Sequence, residues 1–292
     1  MPETWLITGA SGFVGRSIIR RLDSSIDVVA LTHNSKVTRE HGDILAVSNL
    51  NNIPKEVTIT RVINLAGAPI FQRWTPSNRS KIWGSRVTLT QQLVEWLNGL
   101  ESKPLLVSAS AIGFYGLNDC DSPFKINDPV GSGFAAHLCS AWEEAAKQYT
   151  GQKVIVRLGI VLGDGGYLKQ LKPAFKLGLG FTIGGGHQGL AWVGIDDVVR
   201  LFMEASDTQG NSTLLAVSPT AGSQRDLHQA CADALQSKLR LNIPAAMMKY
   251  ALGQTAEELM IGGQYFDSDS ILNQHLNFGQ TKLDSILSKY LN

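Results

Sequence analysis

The chain of 292 residues has only three cysteines, Cys120, Cys139 and Cys231, and no two form a CxxC pair. An odd, scattered set argues against a disulfide framework and offers no thiolate zinc site. Cys139 lies in a helical pattern and reads as a small core residue. No apolar run reaches the roughly 18 residues of a membrane span. An excess of one charge is also lacking: 26 basic residues face 25 acidic ones, for a net charge of +1, with no basic tail or stripe. Neither nucleic acid nor a membrane surface is therefore an expected partner. The first apolar strand starts within five residues of Met1, leaving no room for a secretory signal, so the expected compartment is cytoplasmic. Internal repeats and low-complexity segments are missing too.

What remains is the make-up of a globular α/β protein, with 43% hydrophobic and 17% charged residues. Residues 5–7, 27–31, 61–65, 105–108 and 154–158 read as short, continuously apolar strands, and 15–22, 78–97 and 134–149 as helices. Strands of that texture, each followed by a helix, imply a parallel sheet buried on both faces. Right-handed crossovers then give a doubly wound Rossmann sheet. Residues 178–189 (GLGFTIGGGHQG) read as a mobile glycine loop, within a substrate-loop segment near 165–190. Asp196 and Asp197 open a further helix, where acids suit the positive end of the dipole. After Pro244 only short helical stretches follow, at 245–252, 255–260 and 281–291. The expected division is a Rossmann domain over 1–240 and a small C-terminal subdomain over 241–292, packed on the sheet's carboxyl edge.

The most specific motif is Thr8-Gly9-Ala10-Ser11-Gly12-Phe13-Val14-Gly15, which follows the first strand and opens a helix. Gly9 permits a tight turn, Gly12 lets backbone approach a pyrophosphate, and Gly15 allows close helix–strand contact. Free N–H groups at the helix start bind the anion, with Ser11, Phe13 and Val14 in the same turn. At the end of the second strand an NAD site places an acid on the ribose. Here stand Leu31-Thr32-His33-Asn34-Ser35-Lys36, with Arg39 beyond and no acid. His33 and Asn34, closer to the strand end than Lys36 or Arg39, are the expected contacts of a 2′-phosphate, and NADP(H) the expected cofactor. Lys36 and Arg39, taken singly, read as solvated loop charges.

The order of further motifs carries a family resemblance. NLAGAPI with RWT, GSRVTLTQQLV, SASAIGFYG, LCSAWEEAA, RLGIVLGDGG, FKLGLG and LAWVGIDD run from residue 64 to residue 197. With the glycine turn and Gly262-Gly263-Gln264, this succession resembles the extended short-chain dehydrogenases/reductases. It is closest to the atypical "epimerase family", the nucleoside-diphosphate-sugar epimerase-like group with a small C-terminal domain. The resemblance implies that Thr32 and His33 meet the adenosine phosphate, although Arg is commoner at the latter position. It also implies that Leu65, Ala66 and Gly67 cross the ribose and pyrophosphate, that Arg86 places a cation by the phosphates, and that Ile160 lines the nicotinamide.

Ordinary members of the group use Tyr-x-x-x-Lys for proton transfer. In this chain Phe134 and Leu138 stand at those two places, so the ordinary chemistry cannot run. Ser110 keeps the substrate-orienting position. Tyr115 and His137 are candidate replacements, each with a plain structural alternative as a packing residue of its turn and an exposed helix residue. His187 would reach a substrate if the glycine loop closed. Trp142 and Trp192 read as core aromatics, and Glu143 and Glu144 as a solvated helix face. Two functions follow: an NADP-dependent oxidoreductase or epimerase-like enzyme acting on an unidentified small substrate, or an NADP(H) sensor without turnover. A homodimer is what analogy with the fold allows. No metal site is expected.

Overall fold

Seven short strands pair in parallel in the computed structural model, which describes residues 3–32, 37, 44–205, 211–274 and 276–291. In chain order the strands are β1 (Thr4–Thr8), β2 (Asp27–Leu31), β3 (Ile44–Val47), β4 (Arg61–Asn64), β5 (Leu105–Ala111), β6 (Lys153–Leu158), β7 (Ile160–Leu162), β8 (Leu179–Ile183), β9 (Trp192–Gly194), β10 (Ser212–Ala216) and β11 (Leu239–Ile243). The main sheet runs β10-β6-β5-β4-β1-β2-β3. The direction of winding reverses between β1 and β4, which makes their carboxyl ends the crevice where ligands of such sheets bind. Alternation along the strands buries both faces. Leu6, Val62 and Leu106 pack with Leu93 and Leu97, whereas Trp5, Ile7 and Ile63 join Ile18, Val198 and Phe202 on the other side.

The helices are α1 (Phe13–Ile19), α2 (Pro76–Trp83), α3 (Leu89–Asn98), α4 (Phe134–Lys147), α5 (Gly166–Lys176), α6 (Ile195–Glu204), α7 (Gln224–Ala234), α8 (Ala245–Leu252), α9 (Gln254–Ala256), α10 (Ser268–Leu272) and α11 (Leu283–Tyr290). The single helix expected over 78–97 is α2 and α3 joined by a π-helical turn, Gly84–Thr88. It opens with Thr75 capping the Asn78 amide and Pro76 in the first turn. The extra residue of a π turn rotates the side chains that follow, and Arg86 lies inside it.

One expectation is corrected outright. The glycine-rich run over 178–189 contains a strand, β8, paired in parallel with β11. Its positive-φ glycines, Gly178 and Gly184 to Gly186, lie at the two ends of that strand and not within it, so they turn the chain without preventing pairing. A second core forms around Leu171, Phe175, Leu227, Ile286 and Leu287, from segments on both sides of residue 240. Asp197, only 1% exposed, accepts the amides of Gly279 and Gln280 at 2.8 and 2.9 Å and so pins the C-terminal segment to α6.

At the carboxyl edge a polar row crosses the sheet. Thr8, Asn64 and Ser108 are register partners on β1, β4 and β5. The Thr8 hydroxyl donates to Asn64 Oδ1 at 2.8 Å, and the Asn64 amide donates to Thr90 and Ser108 at 2.8 and 3.1 Å. Trp142 Nε1 on α4 closes the set onto Thr90 at 3.0 Å. All are buried, so each bond counts mainly through what its loss would leave unpaired. Asn64→Ala is expected to lower stability by about 2–4 kcal/mol, read as a shifted urea midpoint. A shift no larger than that of an exposed Asn→Ala control would refute the row's structural role.

Candidate functional site

The turn after β1 is shaped by close backbone approaches. Gly9 takes φ +66°, and a Cβ there would lie 2.7 Å from the Leu65 carbonyl oxygen. A Cβ on Gly15 would come within 2.4 Å of Gly9 O, so α1 can start this close to the turn only with glycine. The Gly12 amide donates to Gly9 O at 2.9 Å, and Gly12 caps α1 in an extended conformation. Thr8 Oγ1 accepts the amides of Leu65 and Ala66, each at 3.1 Å. The crossing loop after β4 is thereby locked against the glycine turn.

Two cavities flank this turn. A groove of about 1080 Å³ touches Gly9, Ser11, Thr32, Ala66 and Gly67, runs on past Ser48 to Asn51, and includes Glu95 and Trp96. The Thr32 and Ser11 hydroxyls stand 3.3 Å apart, and Arg16 reaches the Ser11 carbonyl at 3.0 Å. Arg86, in the π turn, lies against Gly67, where a Cβ would meet its guanidinium at 2.8 Å. It donates to Ala68 O at 3.0 Å, and burial lowers its pKa from the ordinary arginine value. His33 and Asn34 lie outside the described residues.

The second cavity, about 380 Å³, is walled mainly by apolar side chains and begins at Phe13 and Val14 on the other side of the turn. Ile160 is in its wall, along with Ile70, Phe71, Ile112, Leu259 and Met260. The expected proton donors are not. Ser110 is 2% exposed and donates to Glu143 at 2.7 Å. Tyr115 is equally buried, donates to Ile126 O at 2.9 Å and accepts from Arg157 at 2.8 Å. Burial raises its phenol above the ordinary range, against the opposing pull of Arg157. His137 points outward from α4 and is exposed. None of the three lines either cavity.

The physical reason is a buried ion pair. Glu143, 2% exposed and not on a solvated face as expected, takes two Arg157 nitrogens at 2.8 Å each. Arg157 also lies 3.5 Å over the Phe114 ring. A bidentate pair this deep recruits every nearby polar group to complete its hydrogen bonds. Ser110 and Tyr115 are consumed in that role, while Glu144 is exposed and Trp142 and Trp192 are core. His187 reaches Arg225 at 3.2 Å and is likewise outside the cleft wall.

Three titratable groups do line the apolar cleft: Glu258, Tyr167 and Cys139. Glu258 accepts the Phe134 and Ala135 amides at 3.0 and 2.8 Å, so its carboxylate sits on the start of α4. Gln254 also donates to it and is itself bonded by Arg79. Tyr167 pairs with His228 Nε2 at 2.8 Å, and His228 Nδ1 meets Phe181 O at 2.6 Å. Burial pushes the His228 pKa down to about 4, so the ring is neutral, Nδ1–H donates to Phe181 and the Tyr167 hydroxyl donates to Nε2. Burial pushes the Cys139 thiol up to about 12 and keeps it neutral. Glu258 and His228 belong to no recognised motif. Only folding brings Glu258 to the cleft and His228 against Tyr167.

The profile of the NAD dependent epimerase/dehydratase family matches residues 5–214. The chain belongs to this family. Among its relatives, the epimerase family protein SDR39U1 homolog, chloroplastic, of Arabidopsis thaliana is 31% identical over 272 residues, covering 88% of this chain and 78% of the relative. Epimerase family protein ML0860 of Mycobacterium leprae is 31% identical over 265 residues, covering 88% and 86%. Human epimerase family protein SDR39U1 (isoform 2), solved with NADPH, shares the fold at a TM-score of 0.86 and 24% identity, over 99% of both chains. The nucleoside-diphosphate sugar epimerase of Corynebacterium glutamicum follows at a TM-score of 0.74 and 25% identity, over all of this chain and 58% of its own. The family membership accords with the doubly wound sheet and its glycine turn. No helix among the described residues is long and apolar enough to cross a membrane.

Two stability tests address the groups that support this site. Arg157→Met leaves Glu143 buried without its cation and is expected to cost about 3–5 kcal/mol, whereas adding Glu143→Leu should recover most of that loss in urea unfolding. Equal loss in single and double variants would refute the pairing. His228 has a folded pKa below the ordinary 6.5, so its contribution is present above that pH and is lost as pH falls toward 4. The loss is on the order of 3 kcal/mol. His228→Gln should flatten the acid limb of stability against pH between those limits, and an unchanged limb would assign it to other groups.

Proposed function

We propose that this protein binds NADP(H) across the carboxyl edge of its sheet and acts as an oxidoreductase or epimerase-like enzyme on a small molecule held in the apolar cleft. The observation that carries this reading is the position of the two cavities. Gly9 and Ser11 line one and Phe13 and Val14 the other, so the glycine turn is the bridge between an adenosine groove and a nicotinamide-and-substrate cleft. The turn fits the group: Gly12 stands between Ser11 of the groove and Phe13 of the cleft, and a Cβ there would press on Gly9 O at 3.0 Å, so glycine keeps the turn tight where a pyrophosphate would cross. When bound, the nicotinamide would supply a hydride donor or acceptor.

Preference for the phosphorylated cofactor rests on the end of β2, where residues 31–36 of the sequence include no acid and the Thr32 and Ser11 hydroxyls stand together. Arg16 reaches back from α1 to the Ser11 carbonyl. Hydroxyls and cations favour a 2′-phosphate that a carboxylate would repel. The NADPH in the human structure of this fold supports the same assignment. Arg86, next to Gly67, offers positive charge beside the crossing loop. With Phe134 and Leu138 in place of the Tyr/Lys pair, Glu258 and Tyr167 are the groups placed to hold or move a proton at the cleft.

Parallel calorimetric titrations with NADPH, NADP+, NADH and NAD+ test the reading. The phosphorylated forms should bind about tenfold or more tightly, the worth of one good charge-assisted contact. Gly12→Val should remove binding of all four, and His33→Asp should move the preference toward NAD(H). Comparable binding of all four, or none by the unmodified chain, would overturn it. NADPH binding with no turnover across a panel of aldehydes and ketones would point to the sensor.

A further inference from the structure

Resting on that reading of the cleft as the substrate site, we infer that its substrate is a compact, largely apolar molecule, neutral or cationic, that presents a hydrogen-bond donor. It is not a nucleoside diphosphate sugar. The inference starts from charge. Among the described residues lining the cleft none is lysine, arginine or histidine, and Glu258 is the one acid. A diphosphate taken from water into such walls would lose its hydration with no cation in return, at a cost its apolar contacts cannot offset.

Ser132 and Gln170 of the lining are exposed, and its half-buried polar side chains tell the same story. Gln188 spends its amide protons on the carbonyls of Ile183 and Met260, at 3.0 and 2.7 Å. Gln264 spends its own on Ile112 and Gly116, at 2.8 and 2.7 Å. Both amide orientations are set by those carbonyls, which leaves only the amide oxygens for a ligand. The Tyr167 proton is committed to His228. Glu258 receives three donors on four lone-pair sites, so one acceptor position remains. Carboxylate and amide oxygens accept from a hydroxyl or ammonium and repel phosphate.

Size narrows the class further. The cleft holds about 380 Å³, near the lower end of ligand sites, and the nicotinamide would take part of it. Ile70, Phe71, Ile112, Leu259 and Met260 then favour a ring or branched aliphatic body. Glu258 would bind its polar end.

Saturation-transfer NMR on the full chain, with and without NADPH, tests this with four probes: cyclohexylamine, cyclohexanol, cyclohexanecarboxylate and UDP-glucose. The first three share a ring and differ in charge. The amine and alcohol should bind about tenfold more tightly than the carboxylate and the nucleotide sugar, and Glu258→Gln should erase the amine's advantage over the alcohol. Preference for carboxylate or UDP-glucose, an equal response to all four, or none, overturns the inference. The probe comparison needs only the unmodified chain, so it stands even if the Glu258 variant fails to fold. It also reads without nucleotide, so failure of NADPH to bind would refute the cofactor reading separately.

Discussion

The carboxyl edge of this sheet is held by one buried row of hydrogen bonds, Thr8 to Asn64 to Ser108, and the site depends on it. The three side chains meet because parallel register places them opposite one another. Asn64 is completely buried and joins three elements through Thr8, Thr90 and Ser108. Thr8 then turns two lone pairs toward Leu65 and Ala66. A shift of register by one residue would point these groups to the opposite face and leave buried polar atoms unpaired. The row therefore fixes how the glycine turn and the crossing loop face each other, and so the depth of the groove between them.

The two cavities on either side of that turn differ in chemistry because different elements wall them. Ser11, Thr32, Ser48, Asn49 and Asn51 line the groove together with Leu31, Leu50, Trp96 and Glu95, and Arg16 and Arg86 stand nearby to supply positive charge. The cleft is closed by the C-terminal segment, which brings Leu259, Met260 and Glu258 over the sheet edge. Its half-buried polar side chains, Glu258, Gln188 and Gln264, offer acceptor oxygens. One ligand with an anionic half and a flat, weakly polar half matches that gradient.

A deep ion pair changes what neighbouring residues do. Arg157 and Glu143 face each other across β6 and α4 with less than a tenth of either side chain exposed. Unpaired, either charge would be costly, so Ser110, Tyr115 and the Phe114 ring are drawn in as partners. Ser110 and Tyr115, which the family succession marks for chemistry, are hydrogen-bonded to this pair. The carboxylate at the start of α4 comes from a distant segment, on the helix that carries Phe134 where relatives of ordinary mechanism carry tyrosine.

The sequence by itself determined the parallel sheet, the glycine turn and the main helices, because these rest on local signals: continuous apolar strands, glycine spacing and helix caps. β2 matches its expected bounds residue for residue, and the turn falls where its glycines place it. Glycine content misled over 178–189, since pairing with β11 outweighs local flexibility when the positive-φ glycines sit at the strand's ends. Only tertiary structure decided which charged and polar groups face the cleft. Glu143 and Glu144 are adjacent and alike in sequence, yet one is paired in the core and the other exposed, because α4 turns one of them toward Arg157. Glu258 reaches the cleft through contacts over 120 residues away in sequence. Local pattern is blind to such pairings, since desolvation and charge complementarity are set by whatever the fold brings alongside.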